Sequence, residues 1–209
     1  MTVFRPVTPD ALVALVADRA AAEPGVRVVA VSGADATAPE EFAERVAAYL
    51  RLSGRPAAVV SLHDYVRPAS LRLEHGHRDE HSYRTGWFDY PALQREVVTA
   101  LRERGQWLPR LWDESADRSA RAAVVDADPA QVVLVAGPML HGRAPALDVL
   151  VRLTLSRGAL ERRTPPADRW TIEPLLAYDA DSAGAADPAA IVVRYDHPDR
   201  PAVSDDASH

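Results

Sequence analysis

The sequence predicts a three-layer α/β domain, with a mostly parallel central sheet and helices on both faces, and three observations carry that prediction. Several short apolar runs are β-branched and show little alternation, which suits strands buried on both faces. These runs alternate with segments of helical period, the pattern of strand, crossover helix and parallel strand. The 209 residues, 47% apolar and 26% charged, are enough for one sizeable core.

Taken in order, Thr8-Pro9-Asp10 opens a first helix over 8–22, with proline at the first helical position and Leu12, Leu15 and Val16 on one face. Val26 to Ser32 then reads as a central parallel strand. Residues 33–38 form a small-residue loop, and Pro39-Glu40-Glu41 opens a helix with Phe42, Val46, Tyr49 and Leu50 on its apolar stripe. Ala57 to Leu62 is a second strand, 89–104 a further helix, Val132 to Ala136 a third strand and Val149 to Leu155 a fourth. Ile191 to Arg194 supplies a last strand. Between Arg67 and Phe88 the chain is polar and histidine-rich without period, so an irregular excursion over the sheet edge is expected, of the kind that lines sites. The sequence predicts one domain over 1–203 and a disordered tail over 204–209.

Composition removes several chemistries. There is no cysteine, which excludes disulfides and thiolate metal sites, and a net charge of -6 gives no general reason to bind nucleic acid or an anionic membrane. No run is apolar enough to span a bilayer and no leader-like segment opens the chain, so a cytoplasmic protein is expected. All 24 basic residues are arginine, so no ammonium side chain exists to hold phosphate or form a Schiff base. No serine lies on a G-x-S-x-G elbow. Glu74 to His81 gathers three histidines and three carboxylates within eight residues, a composition that could ligate zinc or nickel, although the spacing fits no known motif and no metal site is assigned.

The loop after the first central strand, Gly33 to Glu40, reads GADATAPE and has the register of the phosphate-binding loop GxxxxGK[ST]. Gly33 survives, with Asp35, Thr37 and Glu40 in the remnant. The second glycine is Ala38, the lysine is Pro39 and the hydroxyl residue is Glu40. Alanine disfavours positive φ, proline deletes a backbone donor along with the ammonium, and glutamate places a carboxylate where an anion would bind. Thr37 with Glu40 three residues later also fits a capping box, a local role that needs no phosphate.

Separate segments in one order then resemble the bacterial uridine kinase family, over roughly residues 26–203. Ser61 to Pro68, SLHDYVRP, is similar to that family's SLDDF segment, Trp87 to Leu93, WFDYPAL, to its aromatic-Phe-Asp segment, and Leu108 to Asp113, LPRLWD, to its P-x-YD segment. Val133 to Leu140, VLVAGPML, resembles the strand ending in an acidic residue and glycine, with Ala136 in place of the acid. Leu155 to Arg163, LSRGALERR, resembles the arginine-bearing lid helix, and 189–201 the closing strand.

The resemblance implies a P-loop NTPase-like fold that binds ATP and Mg2+ at the first loop and transfers phosphate to a nucleoside held under the excursion. It implies a base beside the second strand, which falls on His63 with Asp64 as its neighbour. It places Tyr83, Trp87, Trp112, Asp113, Asp117 and Arg118 on the nucleoside side and Arg157, Arg162 and Arg163 in a lid near 156–168. The missing lysine, hydroxyl and acid argue against ordinary magnesium-ATP transfer, because that reaction depends on positioning and charge neutralisation. The expectation is a uridine kinase-like protein that binds a nucleoside or nucleotide with transfer impaired or lost. Its rival is an active phosphotransferase using arginines, with Arg67, Arg143 and Arg162 as candidates. A homo-oligomer, or a partner protein supplying the missing lysine, is left open.

Overall fold

The computed structural model describes residues 3–143, 147–181 and 190–205. Thr8 accepts a hydrogen bond from the Ala11 amide at 3.2 Å and starts α1 (Pro9–Ala21). Short β1 (Arg5–Pro6) precedes it. The central β2 (Arg27–Gly33) is buried along its whole length and runs through a loop into α2 (Pro39–Leu52), followed by β3 (Ala57–Ser61).

The segment expected to be an irregular excursion instead folds two short helices, α3 (Ala69–Arg72) and α4 (Glu80–Thr85). Asp79 caps α4 by accepting from Ser82 N–H at 2.7 Å, a local start signal hidden among histidines and charges. The helix expected over 89–104 is α5 (Tyr90–Leu93) continuing through a wide π-turn, 94–99, into α6 (Ala100–Arg104). Four two-residue strands follow, β4 (Gln106–Trp107), β5 (Trp112–Asp113), β6 (Arg118–Ser119) and β7 (Val125–Asp126), pairing β4 with β7 and β5 with β6. The chain then forms β8 (Val132–Gly137), β9 (Val149–Thr154), α7 (Arg157–Arg163), α8 (Ile172–Asp181), β10 (Ala190–Arg194) and β11 (Ala202–Asp205).

The sheet order is β1-β11-β10-β9-β2-β8-β3, with β10, β9, β2, β8 and β3 parallel and β11 and β1 antiparallel at one edge. Ser204 and Asp205 are therefore not tail. They pair with Val192 and Ile191, which gives the free edge of β10 backbone partners. The remaining tail residues, 206–209, lie outside the described residues.

Alternation along the strands divides the interior. Val29, Val31, Leu134 and Val151 point to the face covered by Leu12 and Val16 of α1 and Phe42 and Val46 of α2. Val28, Ala30, Val133, Val135 and Leu150 point to the other face, where Tyr65, Phe88, Leu93, Val97 and Tyr178 pack. Two covered faces explain why the strands lack polar alternation. The loop after β2 opens at the carboxyl end of the central strand, where ligands bind in open α/β sheets.

Candidate functional site

Gly33 closes β2 where no side chain fits, since an added Cβ would lie 2.5 Å from Thr37 Oγ1 and 3.0 Å from Leu153 Cβ. Past it the chain makes a tight 3₁₀ turn. Thr37 N–H donates to Ala34 O at 2.7 Å and Ala38 N–H to Asp35 O at 2.8 Å, while the Thr37 hydroxyl donates to the same Ala34 carbonyl at 2.7 Å. Ala38 adopts the left-handed conformation, φ 51° and ψ 57°, which an alanine holds at a cost of about 1–2 kcal/mol. Pro39 begins α2 without an N–H. A loop that cradles phosphate turns successive amides toward the anion. Here two of those amides are spent inside the turn and a third does not exist.

The capping box expected from Thr37 and Glu40 is not formed. Ala38 occupies the cap position without a side-chain bond, Thr37 turns back to Ala34, and Glu40 accepts from the Ser61 hydroxyl. The tight turn directs Thr37 away from the helix and β3 offers Glu40 a better donor. Asp35, Glu40, Glu41 and His63 line a cavity of about 280 Å3 beside the loop. Ala136, where the resemblance expects an acid, is fully buried.

His63 stands at the end of β3, where Ser61 Oγ accepts its amide at 3.0 Å and fixes the turn. Its ring bridges two carboxylates, Nε2 to Asp35 Oδ1 at 3.1 Å and Nδ1 to Glu114 Oε2 at 3.4 Å, and lies edge-on to Phe88. Burial works to lower its pKa and is the largest single influence. The hydrogen bonds and charges of Asp35 and Glu114 together outweigh it and push the group up to about 10. At neutral pH this residue is an imidazolium, which has no lone pair with which to accept a proton. The hydrogen bond to His63 in turn holds Glu114 below the usual range, against the pull of burial.

Arg72, buried at 6% exposure, extends the chain of charges. It donates to Glu114 at 2.7 Å and to Arg67 O at 2.6 Å and covers the Trp87 ring at 5.2 Å. Asp35, His63, Glu114 and Arg72 thus form a clasp between the loop and the 67–88 segment. Asp64, the other candidate base, pairs with Arg110 at 2.6 Å, and burial raises its pKa against the pull of that guanidinium.

The candidate nucleoside residues fall into two groups. Tyr83, 4% exposed, packs edge-on against Trp87, Phe88 and Trp170, so in this conformation its ring is core rather than a stacking platform. Trp112 donates its indole N–H to Asp117 at 3.2 Å, and Asp117 also accepts the Ala69 amide at 2.8 Å, which secures the start of α3. Asp113 accepts from Ser115 and Ala116 and closes the turn between β5 and β6, where Arg118 is exposed.

Of the arginines near 156–168, Arg157 pairs with Glu173 of α8 and Arg162 is exposed on α7. Arg163 donates to Tyr195 O at 3.0 Å and lines two grooves beside the loop. The larger, about 480 Å3, runs between Ala34–Ala36 and Thr164–Thr171, within the usual range of ligand sites of about 300–1,000 Å3. Among the described residues no group of three or more His, Asp or Glu is arranged to hold a metal ion, the 74–81 cluster included.

Sequence reasoning missed Glu114, Arg72 and a second cluster around His141. That histidine follows the β8 turn, is 6% exposed, and approaches Asp179 Oδ1 at 3.5 Å. Burial, followed by the charges of Arg152 and Arg143, lowers its pKa to about 4. An unfolded chain binds this proton near pH 6.5 while the folded protein does not, so stability is complete above 6.5 and is lost as pH falls toward 4. Urea unfolding across that window should show His141→Gln losing about 2–4 kcal/mol less than the parent.

No family model matches the sequence, and no curated protein matches it. Solved structures do. A structure described as a possible uridine kinase from Bacillus stearothermophilus is 18% identical and superposes with a TM-score of 0.66 over 86% of this chain and 95% of that one. A "putative fructose transport system kinase" from Silicibacter sp. TM1040 is 26% identical with a TM-score of 0.61, covering 85% and 89%. D-glycerate 3-kinase from Cryptococcus neoformans is 16% identical with a TM-score of 0.51, covering 84% and 80%. With five parallel strands and a loop and helix after the central one, the chain has the P-loop kinase-like fold of these structures.

Proposed function

We propose that this chain is a uridine kinase-like protein that binds a nucleoside or nucleotide and has lost ATP-dependent phosphoryl transfer, serving as a binding or regulatory protein. The observation that carries the reading is the loop itself, where the amides of Thr37 and Ala38 are bonded to Ala34 and Asp35 and Pro39 has none. ATP with Mg2+ does not fit the residues present. The triphosphate would meet Asp35, Glu40 and Glu41 without an ammonium, and the metal would find neither the loop hydroxyl nor an acid at Ala136. No transfer step is derived through them.

The groove between Ala34–Ala36 and Thr164–Thr171 supports ligand binding by size and by its mixed lining of Arg163, Asp168 and Leu175. The arginine-based rival draws less support. Arg143 lies over Tyr90 and Tyr178 and donates to Arg84 O, and Arg162 is exposed, so these two have other duties or none at the loop. Incubation of the purified chain with magnesium-ATP and uridine or cytidine is expected to yield no monophosphate above background. Turnover at an ordinary enzymatic rate would sink the proposal.

A further inference from the structure

The smaller groove beside the loop, about 200 Å3, lies between the first turns of α2 and the turn that joins β10 to β11. Phe42 and Pro198 give it apolar walls, and Glu41, Arg45, Arg163 and Tyr195 give it polar groups. It falls below the roughly 300–1,000 Å3 of sites for drug-sized ligands, so it suits an ion or a small acid rather than a nucleotide.

Tyr195 supplies the feature that asks for an occupant. Its backbone is fully engaged, the amide donating to Thr154 O at 2.9 Å and the carbonyl accepting from Arg163 Nη1 at 3.0 Å. Its ring sits edge-on to Phe42 at 6.3 Å between centroids. The residue is only 6% exposed, yet its hydroxyl makes no hydrogen bond to any described residue. A phenol set so deep ordinarily finds a partner for its O–H. The two guanidiniums have donors to spare. Arg163 spends one nitrogen on the Tyr195 carbonyl, and Arg45 spends one on Asp10 at 3.0 Å, an almost wholly exposed carboxylate whose pairing in water is weak and easily exchanged.

The charges select the chemistry. Burial raises the Tyr195 pKa, and the charges of Arg45 and then Arg163 oppose that rise more strongly than Glu41 and Asp199 add to it. The field of these four groups at the hydroxyl is therefore positive, which favours an anion as its acceptor. Glu41 limits how much negative charge the anion can carry. It lines the same groove and makes no ion pair among the described residues, so it repels a phosphate, at about −1.5 to −2 near pH 7, more than a single carboxylate. A guanidinium fork also matches the two oxygens of a carboxylate. We propose that Arg45, Arg163 and Tyr195 form a binding site for the carboxylate of a small monocarboxylic acid, whose carbon chain lies against Phe42 and Pro198. The carboxylate accepts from both guanidiniums and from the Tyr195 hydroxyl. The inference does not depend on a nucleoside in the larger groove.

The test labels the tyrosines of the full chain with 13C at Cζ, the carbon that bears the hydroxyl, and follows them by NMR, with Tyr195→Phe identifying the Tyr195 signal. The probes are butyrate, its neutral counterpart butyramide, inorganic phosphate and magnesium-ATP. Butyrate is expected to shift Tyr195 saturably at millimolar concentration, with butyramide and phosphate weaker by about 10-fold or more. Arg45→Gln should weaken butyrate by about 10-fold, the loss of one charge-assisted hydrogen bond. Butyramide acting as well as butyrate would mean that the groove reads only the carbon chain, and phosphate acting as well would mean an indiscriminate cationic patch. Either result overturns the site, as does an unmoved Tyr195 at tens of millimolar butyrate. Magnesium-ATP shifting Tyr195 at lower concentration than butyrate would assign the groove to a nucleotide and overturn the inference together with the reading of the loop. A failure of uridine and cytidine to bind would leave the butyrate result standing. The comparison of butyrate with butyramide uses the unaltered chain, so it decides the matter even if a variant does not fold.

Discussion

Replacing three loop residues together, Ala38→Gly, Pro39→Lys and Glu40→Ser, is expected to raise affinity for magnesium-ATP by roughly 10²–10⁴-fold. The first change relaxes a left-handed alanine. The second restores a backbone donor and supplies an ammonium, and the third removes a carboxylate from the mouth of α2 while returning a hydroxyl for the metal. Two charge-assisted hydrogen bonds at about 1.5–3 kcal/mol each account for that range. The change also frees Ser61, which donates to Glu40 in the parent. Calorimetric titration of parent and triple variant with magnesium-ATP reads the difference. Equal affinity in the two proteins would show that the three positions do not control phosphate binding.

The clasp makes the second large prediction. Because the His63 pKa is raised from 6.5 to about 10, the folded protein holds a proton that the unfolded chain releases. The clasp's contribution is fully present below pH 6.5 and disappears as pH rises through 10. The full shift would correspond to several kcal/mol, but His63 is about a third exposed, and water screening reduces the expected loss to roughly 1–2 kcal/mol. Urea unfolding between pH 6.5 and 10 should show this decline in the parent and a flatter profile in His63→Gln. Glu114→Gln should behave like His63→Gln, and by removing the partner of buried Arg72 it should also lower stability at pH 6.5. A His63→Gln profile that declines as steeply as the parent's would mean that the imidazolium does not join the loop to the 67–88 segment.

Much of the fold was legible because burial leaves a local trace. Val26 to Ser32 has no polar alternation, since Val28 faces one apolar layer and Val29 the other, and the Pro39 helix shows its stripe in Phe42, Val46 and Leu50. β11 was not legible. Its four residues, AVSD, are half polar, and they become a strand because β10 needs an antiparallel partner rather than because of their own propensity. The helices inside 67–88 were masked by the same charges that cap and solvate them.

The site divides in the same way. The replacements at Ala38, Pro39 and Glu40 could be read directly, because each phosphate-loop position has a defined chemical task. Their bonding could not. Asp35 meets His63 across 28 residues, His63 meets Glu114 across 51, and Arg72 meets Glu114 across 42, so these partners appear only once the sheet has brought them together. Asp113 and Glu114 are adjacent carboxylates with no sequence signal to separate them, and the turn between β5 and β6 consumes the first and leaves the second for the clasp. His141 was equally silent, since its burial depends on Tyr178, whose ring packs against it from α8.

The most direct test of the central claim is isothermal titration of the purified chain with magnesium-ATP and, separately, with uridine, cytidine and their monophosphates. Binding of a nucleoside or its monophosphate without binding of magnesium-ATP is the predicted result. Tight binding of magnesium-ATP would contradict it, because the Thr37 and Ala38 amides would then have to leave Ala34 and Asp35 to hold phosphate.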